Sequence, residues 1–238
     1  MMTWKQFWKK VRRRLMKLRL QPIRVFCFHQ VSNEFEPDTM WECDWTQTEV
    51  FKQKILALKN EYTFVPLTDA YHHIANDKIR FKKYAALTAD DGWASLKNII
   101  PWLAEQQIPV TLFLNPCYLD GKHYQSRETE KLLTLEDVKA LVGQCKPFVT
   151  LASHGWEHGD CTKMSEGEFE ENVLCAEKLL ADMDGKIPFY AFAYGYFAPE
   201  QVVFLEKRSL IPVLIDGEMN YNERSIHREC IDNNMVNL

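Results

Sequence analysis

Two short segments carry residue types suited to metal-assisted hydrolysis. Asp90 and Asp91 lie in Thr88-Ala89-Asp90-Asp91-Gly92, and His154 and His158 lie in Ser153-His154-Gly155-Trp156-Glu157-His158. Together they offer two carboxylates and two imidazoles. Three such groups can ligate zinc and still leave a position for water or substrate. The remaining carboxylate can take a proton from a water whose pKa the metal has lowered. This chemistry suits cleavage of an amide or ester. Each segment alone has a plainer explanation. Asp-Asp before Gly signals a turn or a helix start, and His-x-x-x-His between two glycines also describes a polar loop.

The surrounding elements make the pair stronger than either member. Residues 83–88 are an apolar run that reads as a strand, with Asp90 and Asp91 just past its end and Gly92 permitting a sharp turn. Leu96, Ile99, Ile100 and Leu103 then follow helical spacing. Residues 108–114 form a second strand-like run, so strand, helix and strand make a βαβ unit. Residues 147–152 are a third such run, and His154 follows it. Catalytic groups in such folds sit at the carboxyl ends of the strands. Thr134 before Val138, Leu141 and Val142, and Ser165 before Phe169, Val173, Ala176 and Leu180, read as capped helix starts. Alternating elements of this kind indicate an α/β protein. His72-His73 is expected on an exposed helix face. His29 ends the first strand and should face the same rim, where it would touch substrate, brace the site or pack beneath it. The polar stretch 115–133 is either a rim loop or a plain surface insertion.

With these motifs in view, the chain resembles the polysaccharide deacetylases, carbohydrate esterase family 4. Residues 88–92 are similar to the family's T-F-D-D-G motif, and Ser153-His154 with His158 to its second motif. Phe26-Cys27-Phe28-His29-Gln30-Val31 is similar to a Y-H-x-V opening strand, and Phe192-Ala193-Tyr194-Gly195-Tyr196 to F-A-Y-P-Y-G. The resemblance spans roughly residues 23 to 230. It implies a distorted (β/α)7 barrel and a catalytic domain over residues 23–238. It implies Asp90 as base, Asp91, His154 and His158 as ligands of a divalent metal, with zinc expected, and an oxyanion site near Tyr194. Trp156 and His29 are the expected substrate contacts. Three departures stand out. Ala89 replaces a Phe, the third motif lacks its usual Arg, and Gly195 stands where a Pro is usual. The last motif aligns either as Ser225-Ile226-His227, making His227 the general acid, or as Ile226-His227-Arg228, making His227 a neighbour.

Charge is unevenly spread. The first 33 residues hold nine Lys and Arg and no Asp or Glu, leaving 20 Lys and Arg against 33 Asp and Glu elsewhere, a net of −13. Trp4, Phe7, Trp8, Val11, Leu15 and Leu18 recur at helical spacing. Residues 1–22 therefore read as a basic amphipathic arm for an anionic membrane surface, or as a helix packed on the barrel. Nucleic acid is not an expected partner, because no recognition motif accompanies the basic patch. The arm lacks the apolar core of a secretory signal. Seven Cys without a C-x-x-C pair then suggest reduced thiols and a cytoplasmic location, peripheral on the inner membrane face. Cys161, three residues past His158, is a possible fourth ligand in principle, but it would close the site. The function expected is a metal-dependent deacetylase acting on the N-acetyl group of an amino sugar, in a polysaccharide or lipid-linked saccharide. An amidase or deformylase of the same fold, and a non-catalytic glycan-binding barrel, are the alternatives.

Overall fold

A computed structural model describes residues 21–34, 45–77, 80–119, 132–184, 188–221 and 224–233. The basic arm up to residue 20, and residues 120–131 of the polar stretch, lie outside them. The strands in chain order are β1 (Arg24–Phe28), β2 (Gln30–Ser32), β3 (Trp45–Gln47), β4 (Thr63–Phe64), β5 (Tyr84–Ala89), β6 (Val110–Leu114), β7 (Val149–Ser153), β8 (Phe189–Ala191), β9 (Ile211–Ile215) and β10 (Ile226–Cys230). The helices are α1 (Thr48–Glu61), α2 (Leu67–Asn76), α3 (Leu96–Glu105), α4 (Leu135–Gln144), α5 (Glu166–Asp184) and α6 (Pro199–Lys207).

Seven parallel strands close a barrel in the order β1-β10-β9-β8-β7-β6-β5, sealed by pairing of β5 with β1. The (β/α)7 expectation holds. The two-residue β4 pairs with the first residues of β5 and stands outside the ring, and β2 and β3 form a separate small sheet. Strands covered on both faces should read as apolar runs rather than alternations. Val-Thr-Leu-Phe-Leu in β6 is buried at all five positions.

Each helix packs through one stripe. In α3 the buried residues are Leu96, Ile99, Ile100 and Leu103, the four that set its sequence pattern. Burying each such side chain is worth about 1.5–3 kcal/mol. Helix α4 starts at a capping box in which the Thr134 hydroxyl accepts from the Asp137 amide and Asp137 accepts from the Thr134 amide. Ser165 and Glu168 make the same exchange before α5. A second apolar cluster joins Phe169 and Val173 of α5 to Tyr190, Phe192, Leu205 and Leu210. It anchors the turn after β8. One expectation fails in part. His72 is exposed, but His73 is half-buried, with its ring stacked on Tyr84 at 4.5 Å and Nδ1 bonded to Asp77 at 2.9 Å. Tyr84 begins β5, so this face of α2 is sheet-facing.

Candidate metal centre

The closed barrel gathers the strand ends. The Asp90 amide donates to the Phe28 carbonyl of β1, which fixes the chain just past β5. Asp91 then takes φ 68° and Gly92 φ 76°. A non-glycine residue in the left-handed region is uncommon, and such strain concentrates at functional sites. A Cβ on Gly92 would also approach Leu114 Cδ2 to 2.8 Å. The turn is tied down by the Leu133 amide, which donates to the Gly92 carbonyl.

The second segment leaves β7 in a similarly fixed path. The His154 amide donates to the Leu114 carbonyl. The buried Asn115 donates through Nδ2 to the His154 carbonyl at 2.7 Å. Gly155 has φ 85°, and a Cβ there would meet Asn172 Oδ1 at 2.4 Å. That oxygen instead accepts the Trp156 amide at 2.7 Å. The His158 amide donates to the Tyr118 hydroxyl.

These turns bring three donor atoms together. Asp91 Oδ1 lies 3.3 Å from His154 Nε2 and 3.3 Å from His158 Nε2. All three atoms lie within 4.8 Å of one another. His154 Nδ1 is 2.9 Å from the Ala191 carbonyl, which can only accept, so the ring proton sits on Nδ1 and Nε2 faces the cluster. Trp93 Nε1 donates to Asp91 Oδ2 at 3.1 Å and orients the carboxylate. The remaining oxygen, Oδ1, is buried without a hydrogen-bond partner. An orphaned carboxylate oxygen facing two imidazole nitrogens fits a divalent cation. One carboxylate and two imidazoles is also a donor set that zinc accepts.

Burial pushes the Asp91 carboxyl up, but His154, His29 and His158 outweigh it and hold it far below the ordinary range. Burial lowers His158, which favours the neutral imidazole a metal requires. Burial lowers His154 too, but Asp91 and Asp90 outweigh it and raise it.

Asp90 stands beside the cluster, with Oδ2 4.0 Å from His154 Nε2 and 3.9 Å from His29 Nε2. Its partner is a residue to which sequence reasoning gave no role. Arg228 of β10 donates from Nη1 to Asp90 Oδ1 at 2.7 Å and from Nη2 to Oδ2 at 2.9 Å. Arg228 is 1% exposed and Asp90 2%. Nη1 also reaches the Thr88 hydroxyl, and the guanidinium carbon lies 5.1 Å from the Phe113 ring centroid. Burial pushes Asp90 up, and Arg228, His154 and His29 outweigh it, so the carboxylate stays ionised. The available sequence signal for Arg228 was its place two residues after Ile226, on the same face of an extended run.

The remaining expected residues are placed less uniformly. The Tyr194 ring packs edge-on against His158 at 4.4 Å and is 53% exposed. Its backbone has φ 58°, inside a turn whose Gly195 and Tyr196 amides already donate to Phe192 and Ala193. Trp156 lies between the two histidines and is half-buried. His227 is not brought to the cluster. It follows Ile226 on β10 and precedes Arg228, so it points to the opposite strand face. Its Nδ1 bonds Asp216 at 2.7 Å and its Nε2 contacts the Ser225 hydroxyl at 3.4 Å. The Cys161 thiol contacts the Tyr190 hydroxyl and the Gly159 carbonyl instead of the histidines.

A search of curated protein sequences gave no significant match. Solved structures match over most of the chain. The Streptococcus pyogenes deacetylase PplD, solved with acetate, aligns with a TM-score of 0.75 at 17% identity, covering 91% of this chain and 95% of its own. A polysaccharide deacetylase from Bacillus cereus gives 0.74 at 16%, covering 91% and 67%. A de-N-acetylase from Aggregatibacter actinomycetemcomitans gives 0.73 at 17%, covering 91% and 97%. At such identities these similarities establish the fold. The family model for polysaccharide deacetylase matches residues 77–209, which include the Asp-Asp turn, the histidine loop and the turn after β8. The chain therefore belongs to the polysaccharide deacetylase family.

Proposed function

We propose that the protein is a metal-dependent deacetylase that hydrolyses the N-acetyl group of an amino sugar in a glycan. The observation that carries this is the convergence of Asp91 Oδ1, His154 Nε2 and His158 Nε2 beside an ionised Asp90. Asp91, His154 and His158 would hold the cation, which when bound polarises an amide carbonyl and lowers the pKa of a water. Asp90, ionised beside the three ligands, would accept a proton from the attacking water on its carboxylate. Arg228 grips both oxygens of Asp90, keeping it charged and aimed. His29, 3.9 Å from Asp90, would contact the substrate beside that base. The exposed rings of Tyr194 and Tyr196, with centroids 6.1 Å apart, offer apolar faces to a sugar at the rim. Tyr194 would also help fix the position of the developing oxyanion. His227, on the opposite face of β10 and bonded to Asp216, is not placed to give a proton to the departing amine.

The test pairs metal analysis of the purified protein with acetate release from N-acetylated and N-formylated oligosaccharides. Divalent metal that is lost on removal of His154 and His158, and metal-dependent acetate release, are expected. Metal-free protein that gains no activity on reloading would reject the proposal, and formate released in place of acetate would move it to a deformylase. The basic residues 1–22 extend the proposal to a lipid-linked saccharide at an anionic cytoplasmic membrane face. Co-sedimentation with anionic vesicles, with and without those residues, tests that extension. Equal binding by both forms would remove it.

A further inference from the structure

Two thiols that the deacetylation chemistry leaves unused meet the His29 imidazole inside the barrel. Cys27 and Cys230 are register partners on the adjacent parallel strands β1 and β10. His29 lies two residues beyond Cys27. Residues i and i+2 of an extended chain face the same way, so His29 shares the face of Cys27 and stands at the carboxyl end of β1. The two Sγ atoms and a His29 ring nitrogen lie within 4.8 Å of one another. Cys27 is fully buried, whereas His29 and Cys230 are half-buried. The pairing of β1 with β10 holds both cysteines, and His29 directly follows β1, so they are positioned before any ligand arrives.

From this geometry we infer a second metal site, formed by Cys27, His29 and Cys230, that takes a thiophilic divalent cation such as zinc. Two thiolates and an imidazole are a strong donor set for zinc and discriminate against magnesium or calcium. Three protein ligands leave a fourth position for water or a small anion. The charge balance is favourable. Two thiolates neutralise a divalent ion, and the adjacent Arg228–Asp90 pair is itself neutral. Burial and the neighbouring Cys230 hold the Cys27 thiol well above the ordinary range, whereas contact with Cys27, helped by His29 and Arg228 against burial, draws Cys230 below it, so a cation binding here would displace the Cys27 proton. The site shares no ligand with the Asp91–His154–His158 cluster. His29 nevertheless lies 3.9 Å from Asp90, so an ion here would change the field at that carboxylate. The inference does not depend on the proposed deacetylation.

The test is cobalt titration of the chelator-stripped, reduced full-length protein. Thiolate ligation produces a sulfur-to-cobalt charge-transfer band in the near ultraviolet, which carboxylate and imidazole ligands cannot produce. The expected band saturates at one equivalent, persists in the H154A/H158A variant, and disappears in C230S and in C27S. Zinc bound at saturation should fall by one equivalent in C230S, whether or not the Asp91 cluster loads. Because C27S alters a fully buried position and could disturb folding, C230S and H29A carry the decision, with circular dichroism confirming that both are folded. Absence of the band in the reduced protein would overturn the inference. A band of unchanged intensity in C230S would also overturn it, since the sulfur would then come from another cysteine.

Discussion

Replacing Arg228 by Met should expose how far one buried ion pair holds the centre of the barrel. Arg228 and Asp90 are 1% and 2% exposed and joined by two hydrogen bonds of 2.7 and 2.9 Å. Met approximates the length of the aliphatic stem and removes the charge. Asp90 would then be a buried carboxylate without its main counter-charge. Removing one partner of a buried pair typically costs about 3–5 kcal/mol, because the remaining charge is uncompensated. For a domain of this size each kcal/mol lowers Tm by about 2–4 °C, so a fall of roughly 6–20 °C is expected. D90N should also destabilise, since it leaves the guanidinium unpaired. The double variant D90N/R228M buries no charge at either position. It should be more stable than the sum of the two single losses by about 2 kcal/mol or more. Urea unfolding of all four proteins, stripped of metal so that ligand binding adds nothing, gives the complete cycle. If the losses add to within about 0.5 kcal/mol, the pair is not coupled and Arg228 does not hold Asp90 in solution.

The other expectations are more local. D91N should lose the metal held with His154 and His158, whereas D90N should keep it and lose turnover by about 10² to 10⁴-fold; metal analysis beside acetate release separates these roles, and the opposite pattern would exchange them. G155A should destabilise the histidine loop, because φ is 85° and the new Cβ would meet Asn172 Oδ1 at 2.4 Å; G155A/N172A should recover part of the loss in thermal unfolding if the clash matters, and none if backbone strain alone matters. T134A should cost about 1 kcal/mol in urea unfolding by removing the cap of α4. Asp137 of that box is held below the ordinary carboxylate range chiefly by the Thr134 amide. The Thr134 hydroxyl also donates to Asp137 at 2.9 Å and adds to this lowering, and T134A removes that part alone; it is present above the unfolded pKa and fades as pH falls through the lower folded value, so the T134A deficit should shrink in acid.

The chemistry-bearing residues legible in the sequence were those set by local pattern. Asp90, Asp91 and His154 follow apolar runs that are strands β5 and β7, and such ends face one rim in any parallel barrel. The four apolar residues of α3 showed both the helix and its buried face. What was not legible depends on which strands become neighbours. Arg228 meets Asp90 across 138 positions, and Cys27 meets Cys230 where the first and last strands pair. No local periodicity encodes that pairing. His73 shows the same limit on a smaller scale. Its helix position was visible, but the Tyr84 ring under it depends on packing of α2 against β5.

The departures in the third motif make sense together once β10 is in place. A buried Asp90 needs a counter-charge, but the barrel interior does not dictate which strand supplies it. Arg228 supplies it from β10, so the turn after β8 need not carry an Arg. That turn then takes a shape a Pro would forbid. Gly195 has φ 70°, whereas a proline ring fixes φ near −65°. A Cβ on Gly195 would also approach Ile215 Cγ2 to 2.6 Å. With Tyr194 at φ 58°, the two consecutive left-handed residues place the Tyr194 ring 4.4 Å from His158. The sequence at 192–196 thus differs from the family pattern in a concerted way. The loss of the motif's Arg is matched by Arg228, and the loss of its Pro by a glycine turn that brings an aromatic ring over a proposed metal ligand.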